Sequence, residues 1–126
     1  MHENITPYEL AVKLREKDFN EPCYHYYQEG EIATHECWNC YNFGTEKIVS
    51  APTIPQVIEW LREKQNIHIG IDLWENGWYA NILHFAPEED EEGVSFRLSR
   101  KYQSDDYGAP GEATLDGIKY ALNNLI

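Results

Sequence analysis

The sequence predicts an α+β fold, and three observations carry the prediction. Ile67, Ile69, Ile71 and Leu73 alternate with His68, Gly70, Asp72 and Trp74, the period of a strand with one face in a core. Asn76-Gly77 follows as a hairpin signal. Around these strands lie segments, near residues 6–17, 53–64 and 111–126, whose apolar residues recur at helical spacing. The expected architecture is an antiparallel three-stranded sheet with flanking helices (α-β-β-β-α) over about residues 51–126. An aromatic α-β-β segment precedes it, over about residues 1–50. With 126 residues the chain fits a single domain, 1–126, that buries roughly two-thirds of its unfolded surface.

The first helix is expected over 6–17, with Thr6 as cap, Pro7 in the first turn and Glu9 completing a capping box. Ile5 and Leu10 have the spacing of a hydrophobic staple, Leu10, Ala11 and Leu14 form the buried stripe, and Asn20-Glu21-Pro22 ends the helix. Aromatic density makes residues 23–28 a strand, Glu29-Gly30 a tight turn and residues 31–36 the return, with a further short strand at Lys47-Ile48-Val49. Residues 38–43 fit no single element. A second helix starts at Thr53 as cap, with Gln56 in the capping-box position, and buries Val57, Ile58, Trp60 and Leu61. The hairpin of residues 67–85 turns at Asn76-Gly77, Pro87 and the acidic residues 88–92 form an exposed loop, and a third strand covers about 94–100. The last helix, about 111–126, carries Leu115, Ile118, Leu122 and Leu125 on one stripe. Residues 6–17 and 53–64 both end in Leu-Arg-Glu-Lys, which fits an α-β-β duplication or the chance recurrence of good helix formers.

Twenty-two acidic against 10 basic residues give a formal charge of −12, so the mean potential repels phosphate backbones and anionic lipid heads. Direct nucleic-acid and membrane binding are therefore not expected, although double-stranded RNA-binding domains share the α-β-β-β-α order. A basic protein partner is favoured by the same field. No apolar run reaches the roughly 20 residues a bilayer span needs, and the start Met1-His2-Glu3-Asn4 has no secretory pattern, so the expected compartment is the cytoplasm.

Cys23, Cys37 and Cys40 are an odd number, which rules out full intrachain pairing. Cys37-Trp38-Asn39-Cys40 has zinc-knuckle spacing, and Cys23, His25 and His35 are the residues that would complete a tetrahedral set. Structural cysteines packed as small apolar groups explain the pattern more simply, and a redox role would want the pair at a helix N-terminus. No cofactor is implied, zinc being the one metal the pattern could hold. His68 and His84 fall on opposite faces of the hairpin and do not pair. The second face of that hairpin carries Asp72, Trp74, Tyr79, Asn81, Leu83 and Phe85, a mixed aromatic and polar surface of the kind that pockets and interfaces use, and Asp72, Trp74, Tyr79, Asn81 and Phe85 are its candidate binding residues. Coverage by helices is the plainer expectation for that face. No phosphate loop, nucleophile elbow or EF-hand spacing occurs.

The segments Leu14-Arg15-Glu16-Lys17 to Asn20-Glu21-Pro22-Cys23, Ala51-Pro52-Thr53-Ile54-Pro55-Gln56-Val57-Ile58-Glu59-Trp60-Leu61-Arg62-Glu63, Asn76-Gly77-Trp78-Tyr79 and Gly117-Ile118-Lys119-Tyr120-Ala121-Leu122-Asn123-Asn124-Leu125-Ile126 resemble an uncharacterised family of small proteins from Bacteroides-type bacteria, their prophages and mobile elements. The resemblance runs in order over most of the chain, departs at Cys37 and Cys40, and carries no catalytic residues across. It implies a phage or mobile-element accessory protein. The expected function is a non-enzymatic acidic protein-interaction module, with a small-ligand, nucleotide-like binding module as the alternative and a zinc-binding protein behind both. Oligomeric state is left open by the sequence.

Overall fold

The computed structural model describes residues 4–34 and 48–126. Among them are three helices and two antiparallel three-stranded sheets, an α+β architecture. The chain divides into two compact units, Met1–Val57 and Ile58–Ile126.

In the first unit, helix α1 (Tyr8–Glu16) buries Leu10, Ala11 and Leu14, the stripe its periodicity predicts. Its start differs from expectation. Pro7 occupies the cap position with no side-chain hydrogen bond, while the Thr6 hydroxyl and amide both donate to the Pro52 carbonyl, at 2.7 and 2.9 Å. The Thr6 side chain is fully buried, and a buried hydroxyl is costly unless paired, so this long-range bond takes precedence over capping. The helix also stops before Asn20-Glu21-Pro22. Asp18 turns left-handed at φ 67°, its amide donates to Arg15 and that of the buried Phe19 to Leu14, a Schellman closure.

Strand β1 (His25–Gln28) pairs with β2 (Glu31–Thr34) across Glu29-Gly30, whose φ angles of 55° and 82° suit the turn expected there. Strand β3 (Ile48–Ser50), the short strand expected near Lys47-Ile48-Val49, takes the other side of β1, so the aromatic strand is central and the α-β-β segment gains a third strand. Arg15 Nη1 donates to the Ile48 carbonyl at 3.0 Å, and the Tyr27 hydroxyl donates to the Thr6 carbonyl at 2.7 Å.

Helix α2 (Ile54–Gln65) begins as expected, with the Gln56 amide donating to Thr53 Oγ1 at 3.2 Å. Thr53 therefore caps where Thr6 does not. The first sheet has its first strand in the middle, order β2-β1-β3, whereas the second is a meander of Ile67–Trp74, Gly77–Asp90 and Gly93–Gln103. Each of the two helices is nevertheless followed by an antiparallel hairpin, α1 by β1 and β2 and α2 by Ile67–Trp74 and Gly77–Asp90, the order an α-β-β duplication would give.

In the second unit, β4 (Ile67–Trp74) pairs with β5 (Gly77–Asp90) from Ile67 opposite His84 to Trp74 opposite Gly77. The turn residues are thus Glu75-Asn76 rather than Asn76-Gly77. Gly77 is fixed as a strand residue because its neighbour Trp78 exchanges two backbone bonds with Tyr107, at 2.8 and 2.7 Å, and a Cβ on Gly77 would fall on the Tyr107 carbonyl. The register moves by an even number of residues, so each side chain keeps its expected face. Strand β6 (Gly93–Gln103) completes the meander, with a bulge opposite Ile82 and Leu83. The acidic run is a turn only at Glu91-Glu92, because β5 continues through Pro87 to Asp90.

Helix α3 (Pro110–Asn124) lies on one face of this sheet through Ala113, Gly117, Ile118, Ala121 and Leu122. The expected stripe of Leu115, Ile118, Leu122 and Leu125 is rotated toward small residues, with Leu115 and Leu125 only half-buried. Close approach explains this, since a Cβ on Gly117 would stand 3.1 Å from Ile69 Cγ2 and 3.2 Å from Ala80 Cβ. Gly117→Val is therefore expected to destabilise the fold by about 2 kcal/mol in urea unfolding, with the open Gly111→Val position as control. Equal midpoints for the two variants would contradict this packing.

Candidate functional site

Strand length sets the site. Strand β4 has 8 residues, while β5 has 14 and β6 has 11. Pairing of β4 with β5 stops at His84, but β5 and β6 stay paired from Phe85 opposite Leu98 out to Asp90 opposite Gly93. Among the described residues the distal part of the hairpin is therefore a two-stranded ribbon with no third strand beside it.

The two faces of the sheet differ. Ile67, Ile69, Ala80 and Ile82 are buried on the face that α3 covers. On the other, His68, Leu83, Phe85, Phe96 and Leu98 line an open hollow of about 360 Å³. Val94, Phe96 and Leu98 are 59–61% exposed, and Phe85 meets Phe96 edge-on with ring centres 6.0 Å apart. Three exposed apolar residues alternating on one ribbon form a contiguous patch, which is informative where a lone exposed leucine is not.

At the ribbon tip Glu88, Glu89, Asp90, Glu91 and Glu92 are all exposed. Asp90 Oδ1 accepts from the Glu92 amide at 2.9 Å and shapes the turn. Glu88 pairs with Arg97 at 2.6 Å across the ribbon, a solvated contact of small energetic weight. Apolar face and carboxylate tip thus sit on one projecting element.

Asp72, Trp74, Tyr79, Asn81 and Phe85 all fall on the face away from α3, where Asp72 and Trp74 are exposed, 64% for Trp74, and Tyr79, Asn81 and Phe85 are half-buried. They do not converge. Trp74 lies at the Gly77 end of β5, and eight residues of strand, about 27 Å, separate that end from Phe85. Asn81 Nδ2 donates to Asp72 Oδ2 at 2.8 Å, while Asn81 Oδ1 is buried without a hydrogen-bond partner. His68 and His84 stand on opposite faces.

Of the candidate metal ligands, His35, Cys37 and Cys40 lie outside the described residues. Cys23 is buried, its thiol 3.4 Å from the Glu21 carbonyl and 3.7 Å from Gln56 Oε1. Among the described residues no group of three or more His, Cys, Asp or Glu side chains could hold a metal ion, and no helix is long and apolar enough to cross a membrane. No family model, curated protein or solved structure matches the chain.

Sequence reasoning placed Leu83 on this face but missed Val94, Phe96 and Leu98. Their signal was the alternation of apolar residues with Ser95, Arg97 and Ser99, which identifies a one-sided strand but not that its apolar side stays uncovered. It also missed a tyrosine cluster around one carboxylate. Asp116 on α3 accepts hydrogen bonds from the Tyr102 hydroxyl, at 2.9 Å, and from Tyr107, while Tyr102 stacks on Tyr120 with ring centres 3.9 Å apart.

Burial first, and then the bond to Asp116, pushes the Tyr102 hydroxyl up to about 12; for Tyr107 the bond to Asp116 leads and the result is again about 12. A folded-state value raised above 10.0 means that this contribution to stability is complete below pH 10 and is lost as pH climbs through 12. Absorbance titration of the nine tyrosines is expected to show Tyr102 and Tyr107 ionising late, with Tyr27 also raised by burial, and Asp116→Ala should lower Tyr102 and Tyr107, but not Tyr27, toward 10. Nine tyrosines titrating together near 10 would contradict the cluster.

Proposed function

We propose that this chain is a non-enzymatic acidic protein-interaction module, an accessory protein of the kind that phages and mobile elements carry. In this reading the C-terminal half works as an α-β-β-β-α unit whose uncovered sheet face meets the partner. The observation that carries it is the apolar row Val94, Phe96 and Leu98, open to solvent and set beside five consecutive carboxylates. Each half contributes a different physical quantity. Burying the row gives affinity at about 25 cal/mol per Å² before association costs are met. The carboxylates speed encounter with a basic surface and disfavour acidic ones. The partner is therefore a protein with an apolar ridge flanked by Lys or Arg, and the charge of −12 fits a mimic of nucleic acid directed at such a surface.

A second reading, capture of a small nucleotide-like ring, draws on the size of the hollow, about 360 Å³. Its lining has one polar side chain, His68, where a base or phosphate would want several donors and acceptors. The interaction reading accounts for more of the surface.

Affinity capture from bacterial lysate separates the two. The wild-type chain is expected to retain a basic protein that leaves as salt is raised, and both Phe96→Ser with Leu98→Ser and the tip variant Glu88→Lys with Glu89→Lys should lose it while melting within a few degrees of wild type. Retention indifferent to both variants and to salt would overturn the proposal. A melting temperature that rises with a nucleotide, by the equivalent of about 2.7 kcal/mol at a hundred times its dissociation constant, would replace it with the second reading.

A further inference from the structure

Strand β6 is the edge of its sheet, and its residues from Gly93 to Lys101 are all exposed. We propose that this edge pairs, antiparallel and about Phe96, with β6 of a second copy of the chain. The proposal stands independently of the interaction reading above.

The backbone is already turned for it. The Phe85 amide donates to the Asn66 carbonyl at 3.0 Å, on the side away from β6. Alternation along the strand points the nitrogen of Pro87 the same way, and Pro87 has no N–H to give to β6 in any case. Leu98 and Phe96, the residues opposite Phe85 and Pro87, therefore occupy non-hydrogen-bonded positions on the β5 side. Their own N–H and C=O groups face the open edge.

The side chains select the register. Read forward from Glu91, the segment is Glu91-Glu92-Gly93-Val94-Ser95-Phe96-Arg97-Leu98-Ser99-Arg100-Lys101. A twofold axis at Phe96 sets it against itself reversed: Phe96 meets Phe96 of the second copy, Val94 meets Leu98, Ser95 meets Arg97, and Gly93 meets Ser99. Beyond that ladder Glu92 and Glu91 at the tip reach Arg100 and Lys101 of the second copy, twice over by symmetry.

Neighbouring registers lose this match. An axis at Arg97 brings two guanidinium groups face to face, and one at Leu98 sets Arg100 against Phe96 and Glu91 against Asp105. Arg97 already holds Glu88 within its own ribbon at 2.6 Å, so its meeting with Ser95 leaves no unpaired charge. Such a pair joins two three-stranded sheets into one of six strands and sets their exposed Phe96 and Leu98 rows side by side on one face.

Sedimentation equilibrium at low ionic strength, over a concentration series, tests the proposal. The wild-type protein is expected at the mass of two 14.8 kDa chains. E91K/E92K and R100E/K101E, each at exposed positions, should sediment as single chains at concentrations where wild type is paired. Mixed one to one, the two variants restore every opposite-charge contact and should return the paired mass. Three results would overturn the proposal: a wild-type protein that stays single up to millimolar concentration, reversed variants that pair as wild type does, or a mixture that remains single.

Discussion

The structure turns on a mismatch of strand lengths and cover. Strand β4 has 8 residues against 14 in β5, and α3 closes one face of their sheet. The distal ribbon is consequently left to solvent, while the other face is half-buried at Tyr79, Asn81, Leu83 and Phe85 and exposed at Asp72 and Trp74. A strand that outruns its neighbour keeps its cross-strand bonds but loses lateral support, so Val94, Phe96 and Leu98 form no part of the core although their alternation is that of a core strand. Apolar side chains kept in contact with water are a cost to the isolated chain, and a binding surface is the physical circumstance in which that cost is recovered.

Electrostatics divide along the same line. The tip carboxylates project into water, where like charges on adjacent residues repel weakly and a cationic partner is attracted over about 10 Å at ordinary salt. Asp116, by contrast, is held between Tyr102 and Tyr107 and ties α3 to β6 and to the loop that follows it. One carboxylate is thus structural through hydrogen bonds to phenols, and five are a surface field. The formal charge of −12 cannot distinguish these roles, because only position relative to the sheet separates them.

Local chemistry was the legible part. The buried stripe of α1, the Thr53 cap, the Glu29-Gly30 turn and the alternation in β4 follow from spacing and turn residues alone. What resisted reading depends on distant partners. Thr6 gives up capping for Pro52, 46 residues away, and Asn76-Gly77 yields the turn to Glu75-Asn76 because Trp78 is bonded to Tyr107. The acidic run looked like a loop because five carboxylates have poor strand propensity, whereas pairing with Gly93 to Ser95 holds Glu88, Glu89 and Asp90 in the ladder. The candidate face was identified through Trp74, Tyr79 and Phe85, but its apolar centre on β6 was not, since a one-dimensional pattern cannot say which side of a strand a helix covers.

Whether that face meets water is therefore the central matter, and methyl NMR in the presence of a soluble nitroxide addresses it directly. The account predicts strong paramagnetic broadening of the Val94, Leu83 and Leu98 methyls, with those of Ile69, Ile82 and Ile118 protected. Val94 and Leu98 methyls as sharp as those of Ile82 would place the ribbon face under cover and contradict the account.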